Sequence, residues 1–197
     1  MNSGEEPRGV KILMQSILVN LSLFKAGWLA SVLTAAASVP AAGATVVAIV
    51  VAVHLFRTAN VEKEFQLLLF AALLGLGWES LLVSLGLVQY STGSAFPGLA
   101  PYWIVGMWVL FATTINVGLK WLHKNIAVAA IAGAIGGPLS FIAGEKAGAV
   151  SFPNPQLSLL VIAAGWALLL PLLVRVAARS LEEPEAVKVE RSRNRDW

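Results

Sequence analysis

Cysteine is absent from this chain of 197 residues, which excludes disulfides, thiol nucleophiles and thiolate metal sites. Histidine is almost absent: His54 and His123 are the only two, too few for a histidine-rich metal centre. Charge is scarce as well, with 13% Asp, Glu, Lys and Arg against about 25% in soluble domains. No P-loop, nucleophile elbow, HExxH or dinucleotide fingerprint occurs, and no metal or cofactor is expected. What fills the chain instead is apolar: 57% hydrophobic residues and a mean hydropathy of +0.76. In water that surface would exceed what a monomer tolerates. In a bilayer it is the requirement.

The apolar residues fall into blocks of membrane-spanning length, which needs about 20 residues per helix. The blocks cover 12–39, 42–56, 65–88, 102–122, 126–143 and 157–176. They are separated by Pro40, by Arg57 and the polar stretch 58–64, by a Gly/Ser/Pro loop over 91–101, by His123-Lys124-Asn125, and by Glu145-Lys146 with Pro153-Asn154-Pro155. The expected class is all-α: a six-helix transmembrane domain over 12–178, with a short N-terminal tail (1–11) and a charged, disordered C-terminal tail (179–197). Arg8 and Lys11 before an apolar run resemble a signal peptide. Asn20 and Lys25 interrupt that run, so an uncleaved first helix is expected.

Orientation follows from the cations. Arg8, Lys11, Arg57, Lys63, Lys120, Lys124, Arg175 and Arg179 fall at one set of block ends, and only Lys146 at the other. The positive-inside rule then predicts both termini in the cytoplasm. The net charge of +3 is spread over helix ends, so it does not point to nucleic acid. Tyr90, Tyr102 and Trp103 are expected to anchor the outer boundary and Trp121 the inner one.

Glu79 is the sharpest residue, because a carboxylate inside an apolar block must be protonated, paired or turned to a polar cavity. At 1.5 Å per residue it is expected near mid-bilayer, on one helix face with Gly75 and Gly86. It is either a ligand anchor or proton carrier, or a structural carboxyl held by an interhelical hydrogen bond. Its expected partners are Asn116, Thr113, Ser140 and Lys25, in that order. Lys25 also has the option of snorkelling to the headgroups. Thr113, Asn116 and Lys120 are predicted on one polar face of the fourth helix. Gly133-xxx-Gly137 matches the small-xxx-small packing pattern, and Gly137-Pro138 predicts a kink or break in the fifth helix. His54 and His123 stand at similar depth; an interfacial role is expected over haem ligation. Gly-Trp recurs at Gly27-Trp28, Gly77-Trp78 and Gly165-Trp166, but the third copy runs opposite to the others, which argues against a repeat.

Five strings together resemble a bacterial inner-membrane family catalogued as domain of unknown function 2878: Asn20–Leu33, Gly77–Leu87, Pro101–Leu122, Gly133–Ala149 and Gly165–Leu173. The resemblance covers almost the whole chain apart from its tails. It implies a compact multi-pass bundle in the bacterial inner membrane, and no established activity, substrate or cofactor. Lys25 and Glu79 stand where the resemblance leads one to expect other polar residues, such as glutamine and aspartate. A Lys25–Glu79 salt bridge is therefore not expected as a family device. Three functions are consistent with the residues. The first is binding or transport of a hydrophobic small molecule or lipid in a cavity between the third, fourth and fifth helices. The second is a non-catalytic subunit or scaffold beside another membrane protein. The third is a lipid-modifying enzyme using Glu79, which ranks last because no second catalytic group is visible.

Overall fold

The structure, a computed structural model, describes residues 8–181. Six helices are present among them: α1 (Arg8–Ala36), α2 (Pro40–Arg57), α3 (Val61–Ser84), α4 (Tyr102–Ile115), α5 (Ile126–Lys146) and α6 (Pro155–Leu181). A 3₁₀ turn, Lys120–Lys124, precedes α5, and two short strands, β1 (Gln89–Tyr90) and β2 (Val150–Ser151), follow α3 and α5. Residues 1–7 and 182–197 lie outside the described residues, and with them most of both expected tails. Arg179 itself belongs to α6.

Helix starts are set by local chemistry. Asn60 and Asn125 cap α3 and α5, their side-chain oxygens accepting the Lys63 amide and the Ala127 and Val128 amides. Pro40 stands in the first turn of α2, where its missing amide costs nothing. The polar stretch before the third block is therefore split. Asn60 is a cap, and Glu62 and Glu64 occupy the first turn of α3, where acidic groups favour the helix dipole.

Five helices are long and apolar enough to cross a membrane; α4, with 14 residues, is shorter. At 1.5 Å per residue α4 covers about 21 Å, against about 30 Å of hydrocarbon. The fourth block is thus not one helix over 102–122. The Thr113 and Thr114 hydroxyls donate back to the Leu110 and Phe111 carbonyls, a local bond that competes with helical continuation. Asn116 follows as the C-cap, and Lys120 lies in the 3₁₀ turn. The predicted polar face of Thr113, Asn116 and Lys120 does not exist as a helix face.

At Gly137-Pro138, where a kink or break was expected, the helix is not broken: α5 is continuous from Ile126 to Lys146 with Pro138 inside it. The Pro138 ring removes the amide that would bond the Ala134 carbonyl. One turn further on, the Ser140 hydroxyl donates to the Gly137 carbonyl at 2.7 Å, and membrane helices tolerate such prolines where neighbours resatisfy the backbone.

The helices pack mainly as sequential pairs, α1 with α2, α3 with α4 and α5 with α6. α4 also contacts α1 and α2, and α3 contacts α6. Tryptophan against glycine is the recurring joint. A Cβ on Gly75 would strike the Trp108 ring, one on Gly133 the Trp166 backbone, one on Gly137 the Trp166 ring, and one on Gly165 the Trp78 ring. The Gly133-xxx-Gly137 pattern thus seats α6 against α5. At the far end of the bundle β1 pairs antiparallel with β2, in register Gln89↔Ser151 and Tyr90↔Val150. This small sheet ties the α3–α4 connector to the α5–α6 connector.

Candidate functional site

Glu79 is fully buried, as its chemistry demands, but its partners are not those expected. Oε2 accepts the Tyr90 hydroxyl at 2.6 Å and Oε1 accepts the Trp108 indole N–H at 2.8 Å. Among the described residues, Asn116, Thr113, Ser140 and Lys25 do not hydrogen-bond it: Asn116 bonds Glu64, and the Thr113 and Ser140 hydroxyls donate to helix carbonyls. Glu79 also lies nearer a helix end than expected. It stands five residues before Ser84, the last residue of α3, within about 8 Å of the terminus.

Two features place the donors. The β1–β2 pairing turns Tyr90 inward over Glu79, so the half-buried Tyr90, expected as a boundary anchor, is also a hydrogen-bond partner of Glu79. Gly75, one turn before Glu79, leaves the space that the Trp108 ring occupies. Trp108 in turn stacks on Trp166, with ring centroids 4.7 Å apart. Trp103, another expected anchor, is buried: its ring meets Tyr90 edge-on at 5.5 Å and its N–H donates to the Thr92 carbonyl. Tyr102 and Trp121 do remain exposed.

Glu79 closes one wall of a cavity of about 590 Å³, within the usual range for small-molecule sites. α1 contributes Leu21, Phe24, Lys25, Trp28 and Val32 to its lining. The opposite wall is α5, with Ala132, Gly133, Gly136, Gly137, Ser140 and Phe141, and the floor comes from α4 and α6. The cavity therefore lies between α1 and α5, not between the third, fourth and fifth helices as expected. α1 and α5 both line the space without packing extensively along each other. Most of the lining is apolar, and among the described residues Lys25 and Glu79 are the only Lys, Arg, Asp or Glu side chains in it.

A second, smaller and more polar cavity of about 280 Å³ takes the other expected residues, Thr113 and Asn116, with Asn20, His54, Arg57 and Glu64. Here Glu64, also buried, bonds His54 Nε2 through Oε1 at 2.8 Å and accepts from Asn116 Nδ2 through Oε2 at 3.1 Å. Asn20 donates to the Thr113 carbonyl at 3.0 Å. His54 is thus engaged by a carboxylate, while His123 lies on the 3₁₀ turn with its Nε2 unpartnered among the described residues. The five candidate residues accordingly divide: Glu79, Ser140 and Lys25 line the large cavity, Thr113 and Asn116 the small one.

Sequence reasoning missed Tyr90, Trp108, Trp166 and Glu64. The buried Glu64 carried a readable signal, since Asn60 marks a helix start and places Glu64 on the first turn. The other three had none beyond their aromatic character.

The family described as Protein of unknown function (DUF2878) matches residues 17–172. No curated protein and no solved structure matches the chain.

Proposed function

This chain belongs to the family described as Protein of unknown function (DUF2878), and we propose that it is a six-pass protein of the bacterial inner membrane that binds or carries a hydrophobic small molecule or lipid. The observation that carries this reading is the apolar cavity of about 590 Å³ between α1 and α5. A space of that size left empty would forfeit the packing contacts of its lining, and an apolar guest restores them. In this reading the ligand enters from the acyl-chain region of the bilayer and need not cross the headgroups. In this reading Glu79 shapes the wall. Both of its oxygens already accept from neutral donors, which weakens it as a general base and disfavours the enzyme alternative.

The six-pass topology rests on the charge asymmetry together with six apolar helices, with the fourth crossing completed by the turn after Ile115. A membrane-impermeant thiol reagent on intact cells should label a Ser94→Cys variant and spare Ser192→Cys; the reverse pattern contradicts the orientation.

Gly136 supplies the test of the cavity. It lines the cavity, and a Cβ built there meets nothing within 4 Å, so Gly136→Leu adds bulk to the cavity wall at a position with room for its first carbon. Native mass spectrometry of the wild-type chain released from mild detergent should show a retained lipid-sized adduct that Gly136→Leu lacks. Equal adduct occupancy in the two proteins contradicts the reading. A second reading, a scaffold for another membrane protein, is favoured by the engagement of both Glu79 oxygens within the protein. It predicts no adduct in either protein and a partner helix between α1 and α5.

A further inference from the structure

Lys25 is the unexplained charge of this molecule. It stands nine residues beyond Ser16, where the first apolar span begins, or about 14 Å along the helix. That is close to the middle of a hydrocarbon layer about 30 Å thick. It is exposed on the protein and lines the large cavity, and among the described residues it forms no ion pair. A cation at that depth is stabilised by an anionic partner, and the described residues offer none: Glu79, the one carboxylate among those lining the same cavity, is bonded to Tyr90 and Trp108.

We propose, building on the cavity reading above, that the ligand is an acyl-chain amphiphile with a single anionic head, a carboxylate or phosphate monoester, whose head meets Lys25. The chain then runs from Lys25 past Gly136 and Gly137 toward Phe141 and Tyr90. Charge sets this direction. The two charge-bearing side chains of the lining are Lys25 and Glu79, and an anionic head is drawn to the first and repelled by the second. Length agrees as well: the α5 wall extends from Ala132 to Gly144, about 18 Å at 1.5 Å per residue, which suits an extended chain better than a compact ring system. The lining along that path is largely apolar, and at Gly136 the α5 wall carries no side chain where a Cβ would meet nothing within 4 Å.

The test uses the full chain in nanodiscs of uncharged lipid, with a chain-brominated hexadecanoic acid as the probe. Bromine on the chain quenches tryptophan at contact, and Trp28, Trp108 and Trp166 all line the cavity. The comparison probes are the methyl ester of the same acid, the monoalkyl phosphate of the same length, and inorganic phosphate. The acid and the alkyl phosphate should quench at concentrations about tenfold lower than the ester, the discrimination of one charge-assisted contact. Inorganic phosphate should not displace them. Lys25→Gln should bring acid and ester within about twofold of each other, Lys25→Arg should keep the preference, and Gly136→Leu should weaken both probes.

Equal quenching by acid and ester in the wild type, with both lost in Gly136→Leu, overturns the anionic head and leaves the cavity reading standing. A preference for the acid that survives Lys25→Gln also overturns the assignment, because the head then lies elsewhere. Displacement by inorganic phosphate shows a site for the free anion and overturns the acyl chain. Quenching unaffected by Gly136→Leu, or no quenching by any probe, removes the cavity reading together with this one.

Discussion

Two buried carboxylates on one helix, Glu64 and Glu79, have been given opposite surroundings. They lie fifteen residues apart on α3, about 22 Å. Glu79 is fixed by a phenol and an indole, neutral donors at the edge of an apolar cavity. Glu64 is fixed by an imidazole and an amide beside a smaller, polar cavity that also holds Arg57. Water can share the second site and has little place in the first. The same residue type thus does different work at the two ends of α3. At Glu64 it joins α2, α3 and α4 in a polar knot. At Glu79 it pins the β1–β2 connector and α4 to the wall of a space that stays apolar. What separates them is the company of each carboxylate, not its burial.

The largest effect should come from truncation. Glu79→Ala leaves the Tyr90 hydroxyl and the Trp108 N–H buried without an acceptor, a loss of about 3–5 kcal/mol in stability. Glu64→Ala should cost less, about 1–3 kcal/mol, because water can enter beside His54 and Asn116. Thermal unfolding in one detergent ranks the two, and a more damaging Glu64→Ala would break the comparison.

Removing single donors should come next. Tyr90→Phe and Trp108→Phe each strip one bond from Glu79 and should each cost about 1–3 kcal/mol. Their double variant should fall short of the sum, since both act on one carboxylate. Full additivity, read from the same unfolding curves, would mean that the two bonds do not share a common structural role.

Smaller still is the effect of Glu79→Gln, about 1 kcal/mol or less. The new carbonyl can accept the Trp108 N–H while the new amide donates to the Tyr90 oxygen, a rearrangement open to a hydroxyl and not to an indole. A loss as large as that of Glu79→Ala would show that the charge, and not the bond geometry, holds the site. Smallest of all, Gly136→Leu should change stability by less than about 1 kcal/mol, in the favourable direction, because leucine is the better helix former and its Cβ meets no neighbour.

The same pair of residues shows what could be read without coordinates. That Glu79 must face inward was legible, because a lipid-facing carboxylate carries an uncompensated desolvation penalty. That Gly133 and Gly137 would seat a neighbouring helix was legible from their spacing. The identity of the Glu79 partners was not. Tyr90 reaches Glu79 only through a strand pairing between residues some sixty positions apart, and two-residue strands leave no periodic signal. Helix ends were similarly hidden. The fourth block reads as continuous apolar sequence through Leu122, and only the threonine back-bonds and the Asn116 cap end α4 at Ile115. Pro138 allowed either a kink or a break, and the helix runs on through it without a break. The cavity itself depends on α1 and α5 standing apart, a tertiary fact with no local trace.

The most direct measurement is an experimental density map of the wild-type protein in a lipid nanodisc, read in the space between α1 and α5. The account predicts a continuous rod of density that begins beside Lys25, passes Gly136 and ends short of Glu79, whose carboxylate still bonds Tyr90 and Trp108. A map with α1 closed against α5, or with the space filled by protein side chains, would contradict it.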